Sequence, residues 1–359
     1  MRTILPLVIA GALAIAACGR DNAPPPDRAL RTAPPSAPQT AVAFAPDSLT
    51  ASERGLFGAL PVAFAANGVR PNRAEVDLGR MLYYDNLLSG GHDVSCNSCH
   101  PLNAYGADGR PVSYGDAGHT GSRNSPTVYN AAGQAHQFWD GRAASVEEQA
   151  KGPILNPAEM AMPEPAAVLE HLQALPAYRA AFHAAFPGEP NPITYDNVGR
   201  AIGAFERGLV TPARWDRLLT GDRSALSRQE VRGAREFVAN GCAACHNGVL
   251  VGGGSLQPLG RARQWPVRAD SGRFAVTGNP ADLYVFKVPT LRNVAQTGPY
   301  FHDGSVSSLD EAIRLMARHQ VGRELSAQQV ADIHAWLASL TGELPRAYIA
   351  QPQLPAQQQ

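Results

Sequence analysis

Apolar residues recur at helical spacing in several stretches of the chain, and polar residues able to cap a helix stand in front of most of them. Asn72, with Glu75 three residues on, precedes Val76, Leu78, Met81 and Leu82. Ser227 and Glu230 precede Val231, Ala234, Phe237 and Val238. A short polar side chain followed three residues later by Glu or Gln can satisfy two free N–H groups at a helix start, so each pair predicts an N-terminus. Ser308 and Glu311 open a further helix and place Met316 on its second or third turn; Ser326 and Gln329 open another. The last carries Val330, Ile333, Trp336, Leu337 and Leu340 on one face, and Gly342 is positioned to close it. Val198, Ile202, Phe205 and Leu209 mark one more helix between the two halves. The pattern predicts a mostly α protein.

The ends of the chain read differently. Residues 1–17 hold one basic residue, Arg2, followed by an apolar run that closes in small residues, the form of an export signal. Ile15-Ala16-Ala17-Cys18 resembles a bacterial lipoprotein box, which would acylate Cys18 and tether the protein to a membrane surface. Residues 18–48 then form an anchor and a Pro/Ala-rich tether without helical or strand period. The folded body divides into an N-terminal domain over 49–210 and a C-terminal domain over 211–345, with a polar tail over 346–359. Thirty-one basic and thirty-one acidic residues balance, so no long-range attraction to nucleic acid is indicated.

With Cys18 assigned to the anchor, four cysteines remain: Cys96, Cys99, Cys242 and Cys245. Each pair reads C-x-x-C-H, ending in His100 or His246. This spacing attaches c-type haem, because two thiols add to the porphyrin vinyl groups and the next residue offers an axial imidazole to iron. Other readings fit less well. Two short C-x-x-C pairs are poor disulfide staples for a large domain, a four-cysteine zinc site needs no histidine after each pair, and a thioredoxin-like pair needs a βαβ context. Each motif follows a capped amphipathic helix, so the architecture is two cytochrome c-like domains, each with one covalently bound haem c.

The two irons differ in what else could reach them. Met316 follows His246 by seventy residues, far enough for a small cytochrome domain to return a thioether to the opposite haem face. Histidine–methionine ligation stabilises ferrous iron, which suits an electron entry site. The first motif has no comparable methionine, since Met160 and Met162 follow within an acidic loop. One iron is therefore expected to be closed and the other open.

Several segments, in order, resemble the bacterial di-haem cytochrome c peroxidases over Arg73 to Leu344: "LGRMLYYDNLLSGGHDVSCNSCH", "DGRPVSYGDAGHTGSRNSPTVYNAA", "QFWDGRAASVEEQAKGPILNPAEM", "NGCAACHNG", "FKVPTLRN" and "TGPYFHDGSVSSLDEAIRLM". The resemblance implies an N-terminal haem that splits hydrogen peroxide and a C-terminal haem, ligated by His246 and Met316, that takes electrons from a small donor protein, a cytochrome c or a cupredoxin. It implies Glu159 as a proton carrier beside the open haem face, Gln149 as a second polar residue there, and Trp139 on the route between haems. It also implies a calcium site made by Asn124 with the carbonyls of Thr297 and Pro299. His302 is read as a buried histidine without a catalytic part.

One position departs from the family pattern. Where well-known members carry a histidine that caps the resting iron, this chain has Asp116; His119, three residues on, either substitutes or is a loop histidine in water. Its loop, Tyr114 to Gly121, is expected to be mobile because three glycines and few apolar residues leave little to pin it. Two alternatives remain beside peroxide reduction. One is a di-haem electron carrier without turnover. The other is oxidation of a protein substrate in the manner of the methylamine-utilisation di-haem enzymes, which carry tyrosine where this chain has Met316. The expected location is the periplasm, anchored through Cys18 to the outer membrane, with a homodimer left open.

Overall fold

The computed structural model describes residues 48–66 and 68–355. The export signal, Cys18 and the tether up to residue 47 lie outside them. Helices dominate, and the single sheet among the described residues is a pair of three-residue antiparallel strands, β1 (Leu256–Pro258) and β2 (Val285–Lys287).

Two hydrophobic cores are formed. Around the first lie α1 (Arg73–Tyr84), α2 (Val146–Leu155), α3 (Pro165–Ala174), α4 (Pro176–Ala185) and α5 (Tyr195–Glu206). Leu78, Leu82 and Tyr83 of α1 meet Val198, Ile202 and Phe205 of α5 there. The second core gathers α6 (Arg228–Ala239), α7 (Leu309–Leu315) and α8 (Ala327–Ala338) around Trp215, Phe237 and Trp336. Trp336 packs on Phe237 with ring centroids 4.6 Å apart.

The helix starts expected at Asn72, Ser227 and Ser326 carry both reciprocal capping bonds. At Ser308 the hydroxyl accepts the Glu311 N–H, which is half of that motif. Each core also has a glycine where two helices cross. A Cβ on Gly79 would fall 1.8 Å from the Ala201 carbonyl oxygen, and one on Gly233 the same distance from that of Asp332. Any side chain there would push α1 off α5 or α6 off α8.

Three local readings are corrected by long-range contacts. Gly342 does not close the last helix, which ends at Ala338 with Ser339 as its cap; it is needed because a Cβ would meet the Thr211 carbonyl at 2.0 Å. The stretch 346–355 is not a free polar tail, since Tyr348 stacks on Phe205 and Ile349 is buried in the first core. Leu49 and Phe57, placed by sequence order with the N-terminal domain, are buried in the second core. The two cores meet at Thr211, whose hydroxyl accepts amide N–H bonds from both Asn130 and Asn293 at 2.9 Å.

Candidate haem sites and the residues between them

Cys96–Cys99 form one helical turn that begins at Ser95. The His100 N–H donates to the Cys96 carbonyl at 2.9 Å, closing the turn so that the C-x-x-C-H residues stay together. Tyr83 of α1 donates its hydroxyl to the His100 carbonyl at 2.8 Å, tying the turn to the first core. His100 Nδ1 lies 3.2 Å from the Gly106 carbonyl, which suits an Nδ1–H donor and leaves Nε2 as the free ligand. Burial lowers the His100 pKa, against the opposing pull of the Gly106 carbonyl, Asp108 and the Pro126 carbonyl.

The second motif repeats this arrangement. Gly241, at φ +87°, turns the chain out of α6, and the His246 N–H donates to the Cys242 carbonyl at 3.0 Å. Burial pushes the His246 imidazole down to about 4, so it stands neutral, the form that binds iron. Its Nδ1 is buried without a well-formed hydrogen bond and faces the carbonyls of Val251 and Pro289. Gly252, at φ +130°, is obligatory beneath it: a Cβ would lie 2.2 Å from the Pro289 oxygen and 3.1 Å from Nδ1.

A second internal repeat supports both histidines, and periodicity did not reveal it. Pro126-Thr127-Val128-Tyr129-Asn130 and Pro289-Thr290-Leu291-Arg292-Asn293 share the form P-T-x-x-N. In each, the threonine hydroxyl donates to a distant carbonyl, Tyr105 or Leu250, and accepts the N–H two residues later. Each proline carbonyl faces the histidine of its own lobe. The signal was present as the paired segments "SPTVYN" and "VPTLRN".

The thiols fit covalent haem attachment. None of the four is in a disulfide, and burial pushes Cys96 and Cys242 up to about 12. Among the described residues no three His, Cys, Asp or Glu side chains group as a metal-ligand set, so the two pairs do not converge on one ion. An apolar cavity runs past Cys242, Cys245 and His246 to Met316. Met316 starts a π-helical turn, Met316–Gln320, directly after α7, a local widening that the capping pattern could not show. Met160 and Met162 are instead buried packing residues of the first core.

Glu159 is half-buried near the first motif, where its charge acts on both Cys96 and Cys99. Its Oε1 accepts a 2.8 Å bond from the Asn156 amide. Burial raises its pKa, against the opposing effects of Arg142 and Asn156. Gln149 lies on α2, ten residues before Glu159, and is half-buried. The 114–121 loop is tied more firmly than its glycines suggest. Asp116 is buried, its Oδ1 accepts the Gly91 N–H at 2.6 Å, and its own N–H donates to the Glu159 carbonyl at 2.6 Å. A Cβ on Gly115 would lie 2.4 Å from the carbonyl oxygens of Ala158 and Glu159, so the loop rests on the segment that carries Glu159. His119 is exposed to solvent.

Trp139, Asn124, Thr297 and Pro299 all line the apolar cavity. The Asn124 amide nitrogen donates to the Arg110 carbonyl at 2.9 Å, which turns its side-chain oxygen into the remaining acceptor. His302 is buried and stacks on Phe286 at 4.2 Å, with its edge toward Trp139.

Two C-x-x-C-H turns, each seating two half-buried thiols and an imidazole in its own helical lobe, define a di-haem c-type cytochrome. Residues 73–224 match the family model for di-haem cytochrome c peroxidase, and residues 230–341 that for cytochrome c. The chain is 42% identical over 316 residues to a cytochrome c551 peroxidase of Pseudomonas aeruginosa, spanning 86% of this chain and 90% of that one. It is 43% identical over 280 residues to a cytochrome c551 peroxidase of Nitrosomonas europaea, with 77% and 83% covered. A methylamine utilization protein MauG of Methylorubrum extorquens is 34% identical over 99% of this chain and all of its own length. A crystal structure of a MauG-like protein associated with microbial copper homeostasis superposes with a TM-score of 0.71 at 29% identity, over 82% of this chain and 97% of that one. The chain belongs to the di-haem cytochrome c peroxidase family, and it carries two c-type haem domains.

Proposed function

We propose that the protein reduces hydrogen peroxide to two waters in the bacterial periplasm, taking two electrons from a small cytochrome c or cupredoxin and two protons from solvent. Haem bound at His100 supplies the iron at which the peroxide bond is cleaved, and haem bound at His246 and Met316 supplies the electron entry. The observation that carries the reading is Glu159: a half-buried carboxyl beside the first motif, with a raised pKa and an amide neighbour to orient it. Bond cleavage needs a proton brought to the departing oxygen, and a half-buried carboxyl beside the motif, its pKa raised by burial, is placed to carry one. Gln149 is assigned to the same pocket as a polar partner for peroxide. Trp139 is assigned to the electron route, and Asn124, Thr297 and Pro299 to a calcium ion, a hard cation suited to amide and carbonyl oxygens.

The methylamine-utilisation reading is disfavoured by Met316, which stands where those enzymes carry tyrosine, and by the lower identity to MauG proteins than to the c551 peroxidases. Among the described residues no helix is long and apolar enough to cross a membrane. The export-signal pattern and Cys18 support a lipid-anchored periplasmic protein at the outer membrane. Steady-state oxidation of a reduced small cytochrome c by peroxide tests the reading. Turnover that depends on both haems is expected, and reversible redox cycling without peroxide consumption would make the protein an electron carrier.

A further inference from the structure

β2 is buried along its whole length, yet it ends in a lysine. Lys287 is only 4% exposed. Its backbone N–H donates to the Trp139 carbonyl at 2.7 Å, and strand pairing sets it opposite Leu256, so its position in the fold is fixed. Its ammonium makes no hydrogen bond or ion pair with another described residue. Asp140 acts on it through space, but that carboxylate is already engaged by Arg123 at 2.5 Å and Arg142 at 2.8 Å. A lysine side chain so far removed from bulk solvent, with no carboxylate of its own, is unfavourable unless an anion reaches it, so the fold that keeps one points to an anion supplied from elsewhere.

The cavity identifies that anion. Lys287 lines the space that holds Cys242, Cys245 and His246, and it is the only Lys or Arg among the lining residues. On the same wall Gln134 Oε1 is buried without a hydrogen-bond partner, a second polar group that the apolar lining leaves unmatched. The haem that these cysteines attach carries two propionate carboxylates, the group's only anionic side chains. Resting on the assignment of this cavity to the C-terminal haem, we propose that Lys287 pairs with a propionate of that haem, fixing its orientation beside Trp139 and raising its reduction potential. The direction follows from charge: ferrous haem carries one electron more than ferric haem, and a nearby cation favours it.

Potentiometric titration of the holoprotein, followed in the visible spectrum so that each haem is resolved, tests this in K287M and K287R. Mass spectrometry first confirms that both haems remain attached. K287M, close in shape but uncharged, should lower the midpoint of the C-terminal haem so that its ferrous-to-ferric ratio at the wild-type midpoint falls about tenfold, the scale of one partly desolvated unit charge. The N-terminal haem should keep its midpoint, and K287R should restore most of the loss. An unchanged C-terminal midpoint in K287M overturns the proposal, as does an equal shift at both haems or a K287R protein that behaves like K287M. Peroxide turnover is measured separately: a shifted midpoint without turnover in the wild type would defeat the peroxidase reading and leave the ion pair standing.

Discussion

The indole Nε1–H of Trp139 donates to the backbone carbonyl of Asn124 at 2.8 Å, so the residue assigned to the electron route is hydrogen-bonded to the residue assigned to calcium. Trp139 also accepts the Lys287 N–H through its own carbonyl. Replacement by Phe keeps an aromatic ring, though a smaller one, and removes the indole bond, worth about 1 kcal/mol. Trp139→Phe should keep both haems attached and slow electron transfer between them, read by flash reduction of the C-terminal haem and the appearance of reducing equivalents at the other. An unchanged rate would take the indole off the route.

Glu159→Gln retains the shape of the side chain and its contact with Asn156 while removing the proton it can give. Turnover of peroxide should fall by about a hundredfold or more, the usual scale for a lost proton-transfer group. Visible spectra should still show two attached haems. Near-normal peroxidase rates would remove Glu159 from the mechanism.

Met316→His should leave two covalent haems in place and lower the C-terminal potential, because imidazole lacks the thioether's preference for ferrous iron. Loss of the methionine-to-iron absorption band should accompany the shift. A redox titration identical to the wild type would show that Met316 is not a ligand.

The exposure of His119, together with the bonds that hold Asp116 against the Glu159 segment, favours a resting first iron without a histidine cap. Low-temperature electron paramagnetic resonance of the oxidised protein should then show a high-spin haem beside a low-spin one, unchanged in His119→Ala, and peroxide should react without prior reduction. Two low-spin signals in the wild type, one of them lost in His119→Ala, would make His119 the cap.

Glu206, at the end of α5, is buried, and burial with Glu147 nearby pushes its carboxyl up to about 8 against the opposing effect of Arg207. Its charge is felt at Cys96 and Tyr83. The native protein therefore holds a proton that the unfolded chain releases near its ordinary 4.5, so this contribution to stability is present below that value and lost as pH rises toward 8. Glu206→Gln should melt close to the wild type at pH about 5 and above it at pH about 8. Equal melting differences at both values would mean that Glu206 is already ionised in the fold.

Sequence alone determined what covalent chemistry and near-neighbour bonding determine. The spacing Cys96, Cys99, His100 and its repeat at Cys242, Cys245, His246 specify haem attachment within five residues each. The capping pairs at Asn72, Ser227 and Ser326 act across three residues, so they were readable without any partner from elsewhere in the chain. The P-T-x-x-N repeat was equally visible, but its purpose was not, because Thr211 and the two histidines come from distant segments. Tertiary structure decided whatever depends on burial and on contacts between distant segments. Gly342 looked like a helix stop and is a close-approach glycine; 346–355 looked solvated and is docked; Met160 and Met162 became core. The same holds for Lys287 and Glu206, two charged residues unremarkable in the sequence, whose chemistry comes from the desolvation that surrounding helices and strands impose on them.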